Sequence, residues 1–582
     1  MNIDSQLDAL KLKDIEGLFY EKVFENEKVI PKVTPFSGIN TDLLYLKDNK
    51  LLFVKFMDTS EDLFSILEEE ILEVMYEEYL LLKKKMEKTN IKYDYVFVMP
   101  NIEIEESYDF DDFIKNNIID KNRVLDIIDN REIFDSYLLD ENNEINLNLF
   151  LLSICPEYFV LNSTLHINKD FKKISFYNDE YEYSAVMLDK EQLKIVNSIN
   201  YEETVFEGGY ATGKTSLMCS KCVKLSKIYP HHKFLILTNN KQKALELREK
   251  IEILSPQSEN IQIHTLNSFV IKLCKKFELV IDYNLLNKDY DKGLNNLIKQ
   301  INNTIKNKRV FKGIFIDNIE NFEEFEVEFI EQFLYQSKFI LNKFYSRCNN
   351  ILNDFDIFKE ESTSENKVFL NNNYRNSVEI NKFINNLNKN SNNYLNDLRK
   401  DKKDFFYLTK GIKNQIGEIN LIKVDILEEQ LEAIIWEINH LVNDKGLDLS
   451  EICIVYPYNK KTLKNNKTIY VQYILKNLLE KNNIPYIIIE DSLTNLSQKN
   501  GVTLSNMYSL GDLEYKALIV CELEMLYNHS ILDTSQDYQL NDFFGDINKL
   551  YLTFSKASEY LSIVTTFDDK NSEIINLIRK SI

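Results

Sequence analysis

Apolar and polar positions follow two different periods along this chain, and the change from one regime to the next divides it. Residues 43–56 (LLYLKDNKLLFVKF) set apolar runs on either side of a polar turn at 47–50, which predicts a hairpin. Residues 60–88 carry Leu, Ile, Met and Tyr among many Glu and predict a long amphipathic helix. Residues 93–100 (YDYVFVMP) predict one more strand. These elements make an α/β unit that ends near residue 145, and a mixed connector runs from there to about 185. After Leu188 short apolar strands alternate with helices, as in β–α–β units. Strands are expected at 204–207, 234–238, 261–264, 313–317 and 338–341. Beyond a connector rich in Asn, Ser and Glu, a second series is expected at 419–424, 452–456, 486–490, 502–505, 517–521 and 561–564. Between the first two of these, Leu431, Ile434, Ile435, Ile438 and Leu441 form the stripe of a helix that covers a sheet. The Asn- and Lys-rich run 384–403 reads as a solvated helix and loop. No repeat of fixed period is present.

Composition narrows the class. A chain of 582 residues suggests about three or four domains. Its 44% hydrophobic and 28% charged residues exclude disorder throughout. No apolar run reaches the roughly 18 residues of a membrane span, and the opening MNIDSQLDALKLKD is no secretory signal. A cytoplasmic protein without membrane partners is expected. Seven scattered cysteines suggest no disulfide framework, and the lone pair Cys219 and Cys222 reads as helix packing rather than a zinc site. The net charge of −22 is uneven: residues 1–150 hold 17 basic against 34 acidic residues, the remainder 53 against 58. Polyphosphate chains avoid such an acidic surface, so a nucleic-acid groove is expected after residue 150, and the N-terminal unit suits a protein partner.

The chemistry centres on Gly208-Gly209-Tyr210-Ala211-Thr212-Gly213-Lys214-Thr215-Ser216, a GxxxxGK[ST] loop after an apolar strand and before a helix. Gly208 and Gly213 let backbone N–H groups turn toward phosphate oxygens, and the helix N-terminus, which includes Ser216, adds a favourable dipole. Lys214 would reach the β- and γ-phosphates of ATP, and the Thr215 hydroxyl would ligate Mg²⁺. A nucleotide pocket needs a second carboxylate for the metal, and Asp317 supplies it at the end of GIFIDN.

In this order and spacing the motifs of residues 188–566 resemble the UvrD-like superfamily 1 DNA helicases. Leu188–Gln192 (LDKEQ) resembles the motif whose Gln, here Gln192, reads the adenine edge. Residues 234–241 (FLILTNNK) and 265–269 (TLNSF) resemble segments lining a single-strand track, with Asn267 where the family usually has His. Asn373-Tyr374-Arg375-Asn376-Ser377 resembles the NYRS motif, which implies that Tyr374 stacks on adenine and Arg375 reaches the γ-phosphate. Residues 502–515 (VTLSNMYSLGDLEY) resemble VTLxTxHxxKGLEF and retain Glu514, and 550–561 (LYLTFSKASEYL) resemble LYVALTRAxxxL. The resemblance implies two RecA-like P-loop NTPase domains, 186–345 and 367–582, joined by a linker at 346–366. ATP·Mg²⁺ would lie between them, and single-stranded DNA or RNA would cross both near Thr238, Thr265, Asn267 and Tyr508.

Departures from the pattern bear on turnover. The family's catalytic Asp-Glu is Asp317-Asn318 here, and an amide cannot take a proton from water at neutral pH. The last motif's Arg is Lys556, which keeps the charge and loses the bidentate fork. The Gln-bearing motif is absent from 342–348. Either Glu320 serves as a displaced base, sharing a side with Asn318 in an extended segment, or ATP is a clamp that turns over little. The first alternative is a helicase or translocase with a role in DNA repair or defence against foreign DNA. The second is a nucleotide-gated scaffold.

The N-terminal unit, 1–145, resembles the nuclease-related domain of the PD-(D/E)xK class through Glu21, Asp42 and Lys55, with 146–185 as a connector. The whole chain is therefore expected to be α/β, a small nuclease-like domain preceding the two RecA-like ones. Phe53 stands where the second metal carboxylate belongs, so a degenerate site without nuclease activity is expected.

Overall fold

A computed structural model describes residues 14–24, 28–36, 39–47, 49–87, 89, 91–104, 111–138, 147–161, 173–178, 181–238, 241–255, 258–335, 338–346, 366–399, 406–412, 415–462, 468–489, 501–510, 513–526, 537–566 and 572–582. The fold is α/β, and its two largest sheets are entirely parallel. No helix among the described residues is long and apolar enough to cross a membrane.

The N-terminal sheet has five strands in sequence order: β1 (Lys28–Pro31), β2 (Leu43–Lys47), β3 (Lys50–Phe56), β4 (Asp94–Val98) and β5 (Ile118–Ile119). The first three form an antiparallel meander, and the expected hairpin at 43–56 is β2–β3. The long helix Glu61–Met86, N-capped by Ser60, carries the chain back so that β4 runs parallel to β3. Period-two alternation gives the sheet two buried faces. Leu44, Phe53, Tyr95 and Phe97 pack under the long helix, against its Leu72 and Met75. Leu43, Tyr45, Leu52 and Val54 pack against Phe19, Tyr20 and Phe24 of the helix Asp14–Phe24. The stretch at 146–185 contains more than a connector, because β6 (Phe159–Leu161), β7 (Lys173–Asn178) and β8 (Tyr181–Met187) form a small antiparallel sheet.

The first parallel sheet is built from β9 (Glu202–Gly208), β10 (Lys233–Thr238), β11 (Ile261–Thr265), β12 (Phe311–Ile316), β13 (Ile340–Tyr345) and β14 (Lys367–Leu370), in the order β11-β10-β12-β13-β9-β14. Its strands read as unbroken apolar runs, such as Phe234–Leu237 and Ile314–Ile316, because helices cover both faces. Residues from 367 are expected in the second unit, yet β14 hydrogen-bonds to β9 and extends the first sheet. The chain then crosses through β15 (Asn372–Asn373), which pairs with β16 (Lys410–Gly411). The second parallel sheet has the order β17-β24-β23-β18-β22-β21, from β17 (Glu418–Lys423), β18 (Ile452–Tyr456), β21 (Tyr486–Ile488), β22 (Val502–Asn506), β23 (Tyr515–Val520) and β24 (Ala557–Thr565). A short hairpin, β19 (Lys460–Thr462) and β20 (Thr468–Tyr470), stands beside it.

The described part of the Asn-rich run is helical as expected, with Lys389, Asn393 and Asp397 exposed, but one of its faces is not solvated. In the helix Val378–Arg399, Asn381, Asn385, Asn388 and Asn392 recur at helical spacing on one face. Their amides donate to the backbone carbonyls of Thr409, Tyr407 and Phe406. A polar stripe of this kind satisfies an irregular strand that no sheet covers, which is why the composition misleads. Of the expected linker at 346–366, residues 347–365 lie outside the described residues.

Candidate functional site: a phosphate loop between two parallel sheets

β9 delivers the glycine loop to the carboxyl edge of the first sheet, where open α/β sheets bind ligands. Gly213 takes φ +77°, a conformation that a side chain rarely adopts, and starts the helix Lys214–Ile228. The Lys214 ammonium donates to the carbonyls of Gly208 (3.0 Å) and Gly209 (2.6 Å), so it is held inside the loop it serves. Ser216 sits half-buried in the first helical turn.

Asp317 follows β12, and its carboxylate lies 3.3 and 3.5 Å from the Thr215 hydroxyl. That hydroxyl and carboxylate alone fit a magnesium ion. However, the Lys243 ammonium lies 2.6 Å from Asp317 Oδ2 and already neutralises the carboxylate such an ion would draw on. The donor set as it stands therefore does not fit one. Lys243 has no counterpart among the sequence expectations, since one lysine in a Lys-rich helix gives no signal. Asn318 takes φ +51° and leads into a tight turn, Ile319–Asn321. The segment does not stay extended, so Glu320 does not share a side with Asn318 as expected. Its buried carboxylate accepts from the Ser346 backbone N–H at 3.2 Å instead.

On the other flank, Asp189 and Gln192 form a reciprocal capping box at the start of the helix Lys190–Asn197. The Gln192 Nε2 and the Tyr374 ring lie 3.0 and 3.5 Å from where a Cβ on Gly213 would stand. The two side chains and the loop thus form one wall. Tyr374 O–H donates to Asp189 Oδ2 at 2.6 Å, and Tyr374 N–H donates to the Ala211 carbonyl at 3.0 Å. Burial first, and then Asp189, push the Tyr374 phenol far above its ordinary value.

Residues beyond β14 close over the loop. Tyr551 Oη and Thr409 Cγ2 lie 2.9 and 3.1 Å from a Cβ position on Gly209, and the Tyr551 ring meets Tyr210 edge-on at 4.9 Å. Tyr551 stands inside the quoted LYLTF stretch, but nothing in its spacing marks it. The Arg375 guanidinium pairs with Glu514 and donates to the Ser555 carbonyl. Burial alone would raise the Glu514 carboxyl, but Arg375, then Lys556 and Lys250, hold it below the usual range. Lys556 is itself buried.

The expected strand-track residues fall in two places. Thr238 and Thr265 are register neighbours at the ends of β10 and β11. Thr265 caps the next helix by accepting from Ser268 N–H, and Asn267 follows in its first turn with a buried Oδ1 that no donor meets. Tyr508 lies in the turn that follows β22 of the second sheet and is 61% exposed. It lies 6.0 Å from Tyr458, with the Lys549 ammonium 5.4 Å from both rings, a pairing that the sequence does not announce.

In the N-terminal sheet, Phe53 and Lys55 share the face under the long helix, while the helix that carries Glu21 covers the opposite face. Glu21 is therefore not brought to Asp42 and Lys55. Asp42 pairs with Lys32 (2.5 Å) and accepts from Phe56 N–H, and Lys55 pairs with Glu78 (2.5 Å), which also accepts from Tyr95 O–H. Phe53 is fully buried between Tyr93 and Tyr95. Among the described residues no group of three or more His, Cys, Asp or Glu could hold a metal ion.

No family model matches the chain, and no curated protein matches it. Among solved structures it is similar to the C-terminal domain of a possible DNA helicase from Lactobacillus plantarum WCFS1. That likeness has 14% identity and a TM-score of 0.22, over 35% of this chain and 93% of that one. It is too slight to carry weight for fold or chemistry.

Proposed function

We propose that this chain binds ATP in the cleft between two RecA-like domains, as superfamily 1 helicases and translocases do, and grips single-stranded nucleic acid. The division would follow the sheets: a degenerate nuclease-like unit, a first domain around β9–β14 and a second around β17–β24. One observation carries the reading. Gly213, Lys214, Gln192 and Tyr374 converge on a single loop although they lie in three separate stretches of sequence. Such convergence is what a nucleotide wedged between two sheets requires: backbone N–H groups and a helix N-terminus for the phosphates, and an aromatic face with an amide edge for the base. Thr238, Thr265 and Asn267 at the end of the first sheet, and Tyr508 beyond β22 of the second, supply polar and stacking groups suited to a strand without sequence preference.

Weak turnover is the form of this reading that the contacts favour. Asn318 supplies no base, Glu320 is engaged by the Ser346 N–H, and Arg375 is engaged by Glu514. Loss of a general base costs about 10²–10⁴-fold in rate. A clamp that closes on ATP, with the acidic N-terminal unit free to hold a protein partner, is the reading these contacts support over a fast motor.

The test is binding of a fluorescent ATP analogue, then ATP turnover, each with and without single-stranded DNA or RNA. Lys214→Ala should weaken nucleotide binding about 100-fold or more, as loss of a phosphate-bound ammonium does. Unchanged affinity would sink the phosphate-loop assignment. Turnover that a nucleic-acid strand stimulates to ordinary motor rates would replace the clamp with a motor.

A further inference from the structure

We propose that Lys243 is a built-in cation at the phosphate end of the cleft, and that this chain consequently binds nucleoside triphosphate without a divalent metal. The proposal rests on the phosphate-loop reading and extends it to the ionic form of the ligand.

The carboxylate of Asp317 is wholly buried, and the Lys243 side chain is 6% exposed. Their 2.6 Å contact is fixed by the backbone on both sides. Lys243 lies on the helix Lys241–Leu254, which follows β10, and β10 is hydrogen-bonded to β12, the strand that ends at Asp317. Asp317 N–H also donates to the Leu237 carbonyl at 2.9 Å. Asp317 thus stands at the end of a strand paired with β10, and Lys243 in the first turn of the helix that comes after β10.

Thr215 Oγ1 is 3.3 Å from the same Oδ2 that Lys243 holds, so hydroxyl, carboxylate and ammonium meet at one point. A divalent ion taking Thr215 and Asp317 would have to part the buried ammonium from that oxygen. Parting a buried pair is strongly unfavourable, because one charge then stays uncompensated in a medium of low dielectric. With Lys243 retained, two ammonium groups border the phosphate end: Lys214 in the loop and Lys243 on Asp317. A lysine neutralises phosphate as a point charge without demanding octahedral geometry, whereas magnesium requires it. The other cations nearby are directed elsewhere: Arg375 pairs with Glu514, and Lys250 pairs with Glu246.

The experiment is fluorescence anisotropy of a labelled ATP analogue titrated with the full chain, once in excess Mg²⁺ and once in EDTA. Wild-type affinity should agree within about twofold between the two, whereas Lys243→Met should lose about tenfold or more in EDTA and recover it in Mg²⁺. Lys243→Arg, which keeps the charge, should remain indifferent to the metal. Wild-type binding that falls about tenfold in EDTA overturns the proposal, as does a Lys243→Met variant that behaves like wild type in both buffers. The wild-type comparison decides the matter even where Lys243→Met fails to fold. The two failures are distinguishable: metal-dependent binding that Lys214→Ala abolishes removes the built-in cation alone. Absence of nucleotide binding under both conditions removes the phosphate-loop reading, and the proposal with it.

Discussion

The N-terminal sheet and the nucleotide cleft each present an aspartate near a strand end, and in each a lysine holds it: Lys32 on Asp42 and Lys243 on Asp317. The ion pairs are alike, but their surroundings are not. Beside Asp317 stand a hydroxyl, a left-handed glycine and a helix N-terminus, an anion receptor that the lysine does not obstruct. Beside Asp42 stand Phe53, packed between two tyrosine rings, and Lys55, already committed to Glu78. A carboxylate alone does not make a site. On the proposed reading the cleft keeps a purpose because its backbone is still shaped to receive phosphate, whereas the core of the N-terminal sheet takes in Phe53.

The sharpest way to break that comparison is Phe53→Glu. Were the N-terminal site merely missing one ligand, the change would restore metal binding. Phe53 is fully buried within an aromatic cluster, however, and a carboxylate there has no partner. The expected outcome is a loss of at least about 3 kcal/mol of stability, measured by urea denaturation, with no Mn²⁺ bound. A stable variant that binds Mn²⁺ would make the two regions equivalent after all.

A smaller effect concerns the ion pair between Arg375 and Glu514. Since Arg375, Lys556 and Lys250 together outweigh burial, the Glu514 carboxyl in the fold titrates below its unfolded value. The unfolded state then binds more protons in the acid range, so the stabilisation is complete above about pH 4.3 and is lost as pH falls through the folded value. Glu514→Gln should flatten that part of the acid-unfolding curve while leaving the N-terminal pairs untouched. An unaltered acid limb would mean that Glu514 contributes nothing to that stabilisation.

Much of this was legible in the sequence, for reasons that differ by element. Buried parallel strands such as β10 and β12 announce themselves as apolar runs, and the glycine spacing of the loop follows from the backbone geometry that phosphate demands. Thr215 and Asp317, 102 residues apart in sequence, lie side by side in the fold. What escaped was decided by tertiary contact. Arg375 and Glu514 both lie in quoted motifs, yet only the fold reveals that they neutralise each other. Lys243 is one of many lysines until the register of β10 against β12 sets its helix above Asp317. Glu320 turned away because Asn318 bends the chain at a positive φ, which Asn tolerates better than most residues. The amide stripe from Asn381 to Asn392 reads as a solvated surface until the strand it satisfies is found.

The smallest effect separates a structural tie from a ligand contact within the cleft itself. Tyr374 has two roles that one substitution can part: its hydroxyl donates to Asp189 across the cleft, and its ring lies against Gly213 beside Gln192. Tyr374→Phe removes the first and keeps the second. A hydrogen bond to a charged acceptor contributes about 1.5 kcal/mol, so thermal stability should fall slightly while affinity for a fluorescent ATP analogue changes by less than about threefold. Tyr374→Ala should lose the ring as well and weaken nucleotide binding by about tenfold, the scale of a lost stacking face. If Tyr374→Phe instead matches Tyr374→Ala in affinity, the bond to Asp189 is what assembles the site. The cleft would then resemble the N-terminal sheet more closely, its polar groups engaged in holding the fold.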